Sequence, residues 1–183
     1  MPQHVESLAE RCRRIELLVL DVDGVLTDGG IVYSDAGHEI KQFHVRDGSG
    51  LKLWHWLGKQ AAILSGRSSR VVDVRAAELD VATVVQGARD KLPAFRKIVK
   101  DCGLEPAQVC FVGDDVPDLP ALRNCGLAVA VADACADVQA AAHYITHAPG
   151  GRGAVREVIE WLLRAQGLWS RVLERFAADD AGN

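Results

Sequence analysis

The chain has 183 residues, a length that one hydrophobic core can serve, so we expect a single domain over residues 1–183. Apolar residues make up 49% of the chain and charged residues 25%, which is ordinary for a globular protein and excludes a disordered or fibrous one. The 25 acidic and 21 basic residues give a formal net charge of −4, so no basic surface indicates a nucleic-acid partner.

Cysteine use and the N-terminal residues bear on where the protein works. Five cysteines, an odd number without a C-x-x-C pair, are typical of reduced thiols in a cytoplasmic protein. Residues 1–16 carry charges throughout and have no apolar h-region, so we expect no signal peptide. No apolar run approaches the length of a membrane span. The sequence therefore predicts a cytoplasmic protein without a membrane partner.

The first predicted strand, residues 17–20, is apolar at every position, which is typical of a strand buried on both faces. Two carboxylates, Asp21 and Asp23, follow it directly, and then comes Gly24. Carboxylate oxygens suit Mg²⁺, and an aspartate can also attack phosphorus as a nucleophile. Considered alone, the same residues are equally typical of an Asx turn after a strand.

A predicted β-hairpin comes next, over residues 30–45. Its two β-prone segments, 31–34 and 38–45, flank a D-A-G turn at 35–37. Such a hairpin would either stand over the site as a flap or offer its edges to another subunit.

Helices and strands alternate along the rest of the chain with short connections. The pattern predicts helices at 47–57, 71–79, 90–102 and 135–142, and strands at 61–64, 83–86, 109–112 and 127–131. Two amphipathic segments, 154–163 and 168–176, belong to a C-terminal loop and tail at 148–183. This order favours an α/β fold, a Rossmann-like parallel sheet with helices on both faces.

Polar residues follow four of the predicted strands. They are Asp21 and Asp23, then Ser65 and Arg67, then Lys91, and then Asp114, Asp115 and Asp118. Because the carboxyl ends of parallel strands lie along one sheet edge, we expect these side chains to converge. Carboxylates can hold a metal, a lysine and a hydroxyl can hold phosphate oxygens, and an aspartate can attack. The set therefore predicts phosphoryl transfer.

These residues also form an ordered series of motifs: D-V-D-G-V-L-T-D at 21–28, S-G-R at 65–67, Lys91, and G-D-D-x-x-D at 113–118. In this order they resemble the haloacid dehalogenase superfamily of phosphatases. The hairpin, F-H-V-R-D-G at 43–48 and G-G-R-G-A-V-R-E at 150–157 resemble its capless branch, typified by 3-deoxy-D-manno-octulosonate 8-phosphate phosphatases. The resemblance implies the superfamily's fold, with a hairpin flap after the first strand and no cap domain.

The resemblance also implies roles for the residues at the motif positions. Asp21 would be the nucleophile and a Mg²⁺ ligand, and Asp114 would complete the metal site. Asp23 would be the general acid and base, with its backbone carbonyl on the metal. Ser65 and Lys91, together with Gly66, would bind the phosphoryl group of the substrate.

Several residues near these positions have two interpretations. Asp118 would support the metal site from close by, and Asp115 would either do the same or cap the helical segment that begins near residue 117. Arg46, Arg67 and Arg152 would contact an anionic substrate, or they would be ordinary surface charges.

Two other segments also remain open. Asp47 would be either the N-cap of its helix or a substrate contact. The glycine-rich segment 150–153 would lie close to a substrate carboxylate, in its own subunit or a neighbouring one. Otherwise it would be a flexible link into the helix that follows.

The leading interpretation is a Mg²⁺-dependent phosphatase that works through an aspartyl-phosphate on 3-deoxy-D-manno-octulosonate 8-phosphate, in the biosynthesis of a lipopolysaccharide sugar. An alternative substrate is a nine-carbon nonulosonate 9-phosphate or another small phosphomonoester. The arginine of S-G-R favours the octulosonate, because nonulosonate phosphatases tend to have an acidic residue there. A non-catalytic assembly module of the same fold is a third interpretation, but such a module has no reason to keep a costly cluster of like charges.

The hairpin also bears on assembly. It is too small to close the site alone, and a lone two-stranded hairpin is marginal in water. Its edges and apolar residues therefore need a partner, and symmetric self-association is the usual one. The resemblance implies a homotetramer in which a neighbouring subunit walls the active site.

Overall fold

A six-stranded parallel sheet is the centre of this computed structural model, which describes residues 7–177. The strands are β1 Leu17–Leu20, β2 Val32–Tyr33, β3 Glu39–Ile40, β4 Gln60–Leu64, β5 Thr83–Val85, β6 Val109–Gly113, β7 Leu127–Ala130 and β8 Tyr144–Ile145. The helices are α1 Leu8–Arg14, α2 Val45–Trp56, α3 Arg70–Glu78, α4 Lys91–Asp101, α5 Leu119–Leu122, α6 Ala136–Ala141, α7 Ala154–Ala165 and α8 Trp169–Ala177. Across the sheet the strand order is β5-β4-β1-β6-β7-β8.

Strand β1 lies where the chain reverses its direction across the sheet. From β1 the chain passes through α2 to β4 and through α3 to β5, and it returns through α4 to β6 on the other side of β1. Right-handed crossovers in opposite directions put their helices on opposite faces, so α2 and α3 cover one face and α4 and α5 the other. The predicted α/β fold is confirmed. Ligands bind beside such a reversal, which here is the carboxyl end of β1.

The core gives the strand ends a firm base. Strands β1, β6 and β7 are buried along their whole length. Helix α7 packs against α2 and α1 and buries six residues, among them Val158 and Leu162. Phe95 of α4 meets Phe111 of β6 edge to face, with ring centroids 6.1 Å apart. Each large apolar side chain buried in this way contributes about 1.5–3 kcal/mol to folding.

Helix α2 begins two residues earlier than predicted. Its N-cap is His44, so the predicted N-cap role of Asp47 is wrong. Helix α1 and strand β8 were not predicted; α1 begins with a capping box in which Ser7 and Glu10 bond each other's backbone N–H. The predicted tail beyond residue 177 lies outside the described residues. Between residues 7 and 177, no helix combines the length and the apolar character needed to cross a membrane.

The hairpin lies between β1 and α2 as predicted, but its strands are shorter than the predicted segments 31–34 and 38–45, and residue 45 already belongs to α2. Strands β2 and β3 pair antiparallel, with Val32 opposite Ile40 and Tyr33 opposite Glu39. Its turn is closed by a hydrogen bond from the Ser34 N–H to the His38 carbonyl at 2.9 Å. Val32, Tyr33 and Ile40 are each more than half exposed, so the hairpin offers an apolar surface to solvent.

Candidate active site

The chain turns sharply after β1 and brings Asp21 and Asp23 to the sheet edge. Three successive N–H groups, at residues 25–27, donate to the Val22 carbonyl, and the buried Thr27 hydroxyl donates to it as well. Gly24 has φ +90°, and a Cβ there would lie 2.0 Å from Oδ2 of Asp114. The turn therefore needs glycine, both for its backbone conformation and for room beside that carboxylate.

Asp21 is held between a backbone donor and a buried lysine. Its Oδ1 accepts a hydrogen bond from the Val22 N–H at 2.7 Å, and its Oδ2 lies 2.8 Å from Nζ of Lys91. Lys91 is the first residue of α4, whose N-cap Asp90 accepts from the Leu92 N–H. The lysine reaches Oδ1 of Asp118 at 2.5 Å. One ammonium group thus joins the ends of β1 and β6.

Asp118 is fully buried and organises the loop after β6. Its Oδ2 accepts from the backbone N–H groups of Asp114 at 3.0 Å and Asp115 at 3.3 Å. Asp115 is exposed and caps the 3₁₀ turn Val116–Asp118 by accepting from the Val116 N–H. Of the two interpretations for Asp115, the structure shows the helix cap, and a role in supporting the metal ligands stays a prediction.

Asp21, Asp114 and Asp118 form an acidic cluster, with one carboxylate oxygen from each lying within 4.8 Å of the others. Burial, and next the charge of Asp118, raises the pKa of Asp21 to about 6. Burial, and next the charge of Asp21, raises the pKa of Asp114 to about 7. Burial opposes the charge of Lys91, but the carboxylates of Asp21 and Asp118 raise its pKa above the usual value. One lysine thus faces three carboxylates.

These carboxylates fit a divalent cation. Within the described residues, Oδ1 of Asp114 is buried and makes no hydrogen bond. An unpartnered buried carboxylate oxygen is costly unless a cation or a donor meets it. Mg²⁺ takes hard oxygen ligands and is usually held by one or two carboxylates together with waters and phosphate oxygens. The cluster is therefore suited to bind Mg²⁺ beside Asp21.

Ser65, Gly66 and Arg67 form another wall of the cavity that contains the acidic cluster. Ser65 is buried, its N–H donates to the Val85 carbonyl at 2.9 Å, and its hydroxyl accepts from the Arg67 N–H at 3.2 Å. A Cβ at Gly66 would have nothing nearer than the Ala88 carbonyl at 3.8 Å. The S-G-R loop therefore presents a hydroxyl and open backbone toward the acidic cluster.

The side chain of Asp23 meets two cations. Lys41, from the hairpin, has a 2% exposed side chain and bonds Oδ1 of Asp23, and Nε of Arg67 lies 3.4 Å from Oδ2. Glu39 connects the two cations, because its Oε1 lies 3.4 Å from Nζ of Lys41 and 2.7 Å from a guanidinium nitrogen of Arg67. Through Lys41, the hairpin therefore contacts Asp23, the predicted general acid and base.

Sequence reasoning missed Glu39 and Lys41. A signal was available, because residues two apart in an extended segment share a face, so Glu39 in β3 and Lys41 directly after β3 are expected on one side. The spacing does not reveal that Lys41 bonds Asp23, which lies 18 residues earlier in the chain.

The predicted residues surround one cavity of about 290 Å³ at the sheet edge. Its walls include Asp21, Asp23, Ser65, Gly66, Arg67, Lys91, Asp114, Asp115 and Asp118. A larger cavity of about 690 Å³, between the hairpin turn and α3, contains none of the motif residues. Size therefore does not identify the site here, whereas the convergence of all four motifs does.

Two predicted substrate contacts lie away from this cavity. Arg46 is exposed in the first turn of α2, and Arg152 is exposed and lies 3.4 Å from Oδ2 of Asp28. Neither residue is among those that line the cavity within the described chain. Asp28 in turn accepts from the Gly30 N–H at 3.1 Å, as expected of a turn residue. Contact of these arginines with substrate stays a prediction.

Sequence comparison assigns the chain to a known family of hydrolases. Residues 45–126 match haloacid dehalogenase-like hydrolases. Over 164 residues the chain is 45% identical to the 3-deoxy-D-manno-octulosonate 8-phosphate phosphatase KdsC of Salmonella typhi, covering 90% of this chain and 86% of that protein. The chain belongs to the 3-deoxy-D-manno-octulosonate 8-phosphate phosphatase family. The KdsC protein of Escherichia coli K12, 44% identical over 157 residues, covers 86% of this chain and 84% of its own length.

Solved structures of this phosphatase family share the fold. The enzyme from Moraxella catarrhalis, in complex with magnesium ion, phosphate ion and KDO, is 41% identical with a TM-score of 0.91, over 94% of this chain and 99% of that one. The cobalt-bound enzyme from Haemophilus influenzae is 41% identical with a TM-score of 0.83, over 86% of this chain and 92% of that one. The family resemblance carried by the motifs is therefore confirmed.

Proposed function

We propose that this protein releases phosphate from 3-deoxy-D-manno-octulosonate 8-phosphate, with Mg²⁺ as its cofactor. The observation that carries the proposal is the contact of Lys91 with both Asp21 and Asp118 inside an acidic cluster at the end of β1. Nucleophilic phosphoryl transfer needs a fixed carboxylate, a cation for the phosphoryl oxygens and a place for a metal. The names of its relatives support the substrate.

In the first step, a carboxylate oxygen of Asp21 attacks phosphorus, and the bond from phosphorus to the sugar oxygen breaks. Asp23 gives its proton to the departing oxygen, and an aspartyl-phosphate remains on Asp21. Lys91 and the Ser65 hydroxyl hold the phosphoryl oxygens, while Gly66 leaves room for them. The Val22 N–H fixes the orientation of the nucleophile.

In the second step, Asp23 takes a proton from water, and the water oxygen attacks phosphorus. The bond between phosphorus and Asp21 breaks, which restores the carboxylate and releases phosphate. Lys41 and Arg67 hold the Asp23 side chain toward the cavity. Bound Mg²⁺, held by Asp21, Asp114 and the Asp23 carbonyl, would neutralise charge on the transferring phosphoryl group.

The position of Arg67 supports this substrate assignment, in addition to the names of the relatives. This arginine lines the cavity beside Asp23, where a sugar-acid leaving group would lie. A nine-carbon nonulosonate 9-phosphate remains the alternative for the test to separate. The intact set of Asp21, Lys91 and Asp114 argues against a non-catalytic assembly module, because like charges in a buried cluster are costly to keep.

The substrate assignment predicts a preference that phosphate release can measure. With Mg²⁺, kcat/KM for 3-deoxy-D-manno-octulosonate 8-phosphate should exceed that for a nonulosonate 9-phosphate by roughly 10- to 100-fold, since the two differ by small groups in one pocket. With EDTA, release should stop for both substrates and for p-nitrophenyl phosphate. A reversed preference would assign the nonulosonate 9-phosphate as the substrate. If no ester released phosphate, the non-catalytic assembly module would be the remaining interpretation.

We further propose a cytoplasmic homotetramer. All five cysteines are unpaired, as in proteins of reducing compartments. The hairpin exposes the apolar side chains of Ile31, Val32, Tyr33 and Ile40, with Val32 paired opposite Ile40, and symmetric packing of hairpins would bury them. The number four comes from the family resemblance. A neighbouring subunit would then wall the open side of the active site and explain how a capless enzyme selects its substrate.

Assembly is tested by light scattering. The protein should have a mass near four chains of 19.8 kDa. Ile40→Lys should break the assembly, because a lysine would be buried without a partner at the hairpin contact. Val74→Lys is the matched control, since Val74 is an apolar α3 residue of similar exposure, 54% against 51% for Ile40. A fully active monomer would remove this account of specificity.

A further inference from the structure

The glycine-rich loop 150–153 packs backbone to backbone on the turn after β1. The Gly151 N–H donates to the Val25 carbonyl at 2.9 Å. A Cβ at Gly150 would lie 1.7 Å from the Gly24 carbonyl oxygen, and one at Gly151 would lie 2.4 Å from the Asp28 nitrogen. No side chain fits between these two segments. The loop therefore forms part of the support of the active-site turn and is not a flexible link.

The contact continues to the acidic cluster. On its other side Gly24 lies against Asp114, where a Cβ on Gly24 would stand 2.0 Å from the Asp114 Oδ2. Gly150, Gly24 and the Asp114 carboxylate thus form three layers in direct contact. Because close-packed layers have no space to absorb a shift, moving Gly150 has to move Gly24, and moving Gly24 has to move the carboxylate.

A buried carboxylate anchors the loop to the core. Asp47 of α2 is 2% exposed, and it accepts hydrogen bonds from the N–H groups of Gly153 at 3.3 Å and Arg156 at 2.8 Å. These donors belong to the start of α7, which packs against α2. Asp47 therefore caps α7 across the core and fixes the point from which the glycine-rich loop departs. Asp133 fixes the loop at a second point, because its Oδ1 accepts a hydrogen bond from the Gly150 N–H at 2.9 Å.

We propose that the glycine-rich loop 150–153 positions the magnesium site, with Gly150 as the residue that sets the place of Gly24 and Asp114, and with Asp47 as its anchor. Among the described residues, neither Gly150 nor Asp47 lines the active-site cavity, so we assign both as positioning residues. The inference rests on the proposed function in one respect, namely that the acidic cluster of Asp21, Asp114 and Asp118 binds Mg²⁺.

The test is Gly150→Ala, with Mg²⁺ binding followed by the rise in melting temperature at increasing Mg²⁺ and, separately, by the Mg²⁺ concentration for half-maximal phosphate release. Gly150 does not have a positive φ, so the added methyl acts through the Gly24 contact and not through backbone strain. Both midpoints should rise by roughly 10- to 100-fold, the usual effect of disturbing groups that support metal ligands. The maximal rate at saturating Mg²⁺ should fall less than the affinity.

Gly58→Ala is the matched control. Gly58 has φ +81°, and a Cβ there would meet nothing within 4 Å. This variant should lose some stability from backbone strain and keep the parent's Mg²⁺ midpoints. A Mg²⁺ response lowered equally in Gly58→Ala and Gly150→Ala would attribute the effect to general destabilisation and overturn the inference.

Asp47 supplies a second variant if Gly150→Ala fails to fold. Asp47→Ala removes the acceptor for Gly153 and Arg156 and should raise the Mg²⁺ midpoints, while Asp47→Asn keeps one acceptor oxygen and should restore them in part. Asp114→Ala distinguishes failure of the proposed Mg²⁺ site from failure of the positioning role of Gly150 and Asp47. If it retains the parent's Mg²⁺ response, the cluster is not the metal site and the proposed function fails. If it loses that response while the Gly150 and Asp47 variants keep the parent's midpoints, only the positioning inference is overturned.

Discussion

Asp21→Asn is expected to abolish phosphate release from every substrate while the protein stays folded. The amide cannot act as the attacking carboxylate, so kcat should fall by roughly 10⁴-fold or more, as when other enzymes lose their nucleophile. The loss should not depend on the leaving group, because the sugar phosphate and p-nitrophenyl phosphate need the same nucleophile. Steady-state phosphate release at saturating Mg²⁺ measures it.

The fold of this variant is checked by its melting temperature in EDTA. Burial already disfavours the charge of Asp21, as its pKa of about 6 indicates, so removing that charge should not lower the melting temperature. A side chain that is isosteric and neutral keeps the space filled. A folded Asp21→Asn protein that still turns over substrate would show that another group is the nucleophile.

Lys91→Met is expected to remove activity and also much of the stability. The lysine is 3% exposed and lies within 2.8 Å of two carboxylates, Asp21 and Asp118. Removing one partner from such a buried group leaves uncompensated charges and costs about 3–5 kcal/mol of unfolding free energy. Urea unfolding in EDTA measures this loss. Lys97→Met is the matched control on the same helix, because its ion pair with Asp101 is exposed and worth at most about 1 kcal/mol.

A double variant separates charge pairing from catalysis. In Lys91→Met with Asp118→Asn, one of the two unpaired carboxylates becomes neutral, and the amide oxygen can still accept from the Asp114 N–H. Stability should therefore recover in part, while activity should not return, because no ammonium group faces the phosphoryl oxygens. Parent-like stability in Lys91→Met alone would contradict the pairing argument, and activity regained in the double variant would contradict the role of Lys91.

The amino-acid sequence alone determined the architecture and the main residues of the candidate site. The signals were local: an apolar run at 17–20 followed by Asp21, and polar residues after three more strand regions. A strand buried on both faces needs apolar residues at successive positions, so such a run can be recognised without its neighbours. The rule that parallel strands align their carboxyl ends then brings Asp21, Lys91 and Asp114 to one edge.

Only the tertiary structure decided which groups hold these residues in place. The bond between Lys41 and Asp23 joins the hairpin to the turn after β1, and the contact between Gly150 and Gly24 joins the last third of the chain to that turn. Asp47 looked like the cap of its own helix, but it accepts from residues more than 100 positions away. Spacing along a strand or helix shows which face a side chain shares with its neighbours, but not what packs opposite that face. The partner depends on how distant elements meet across the core, which no local pattern specifies.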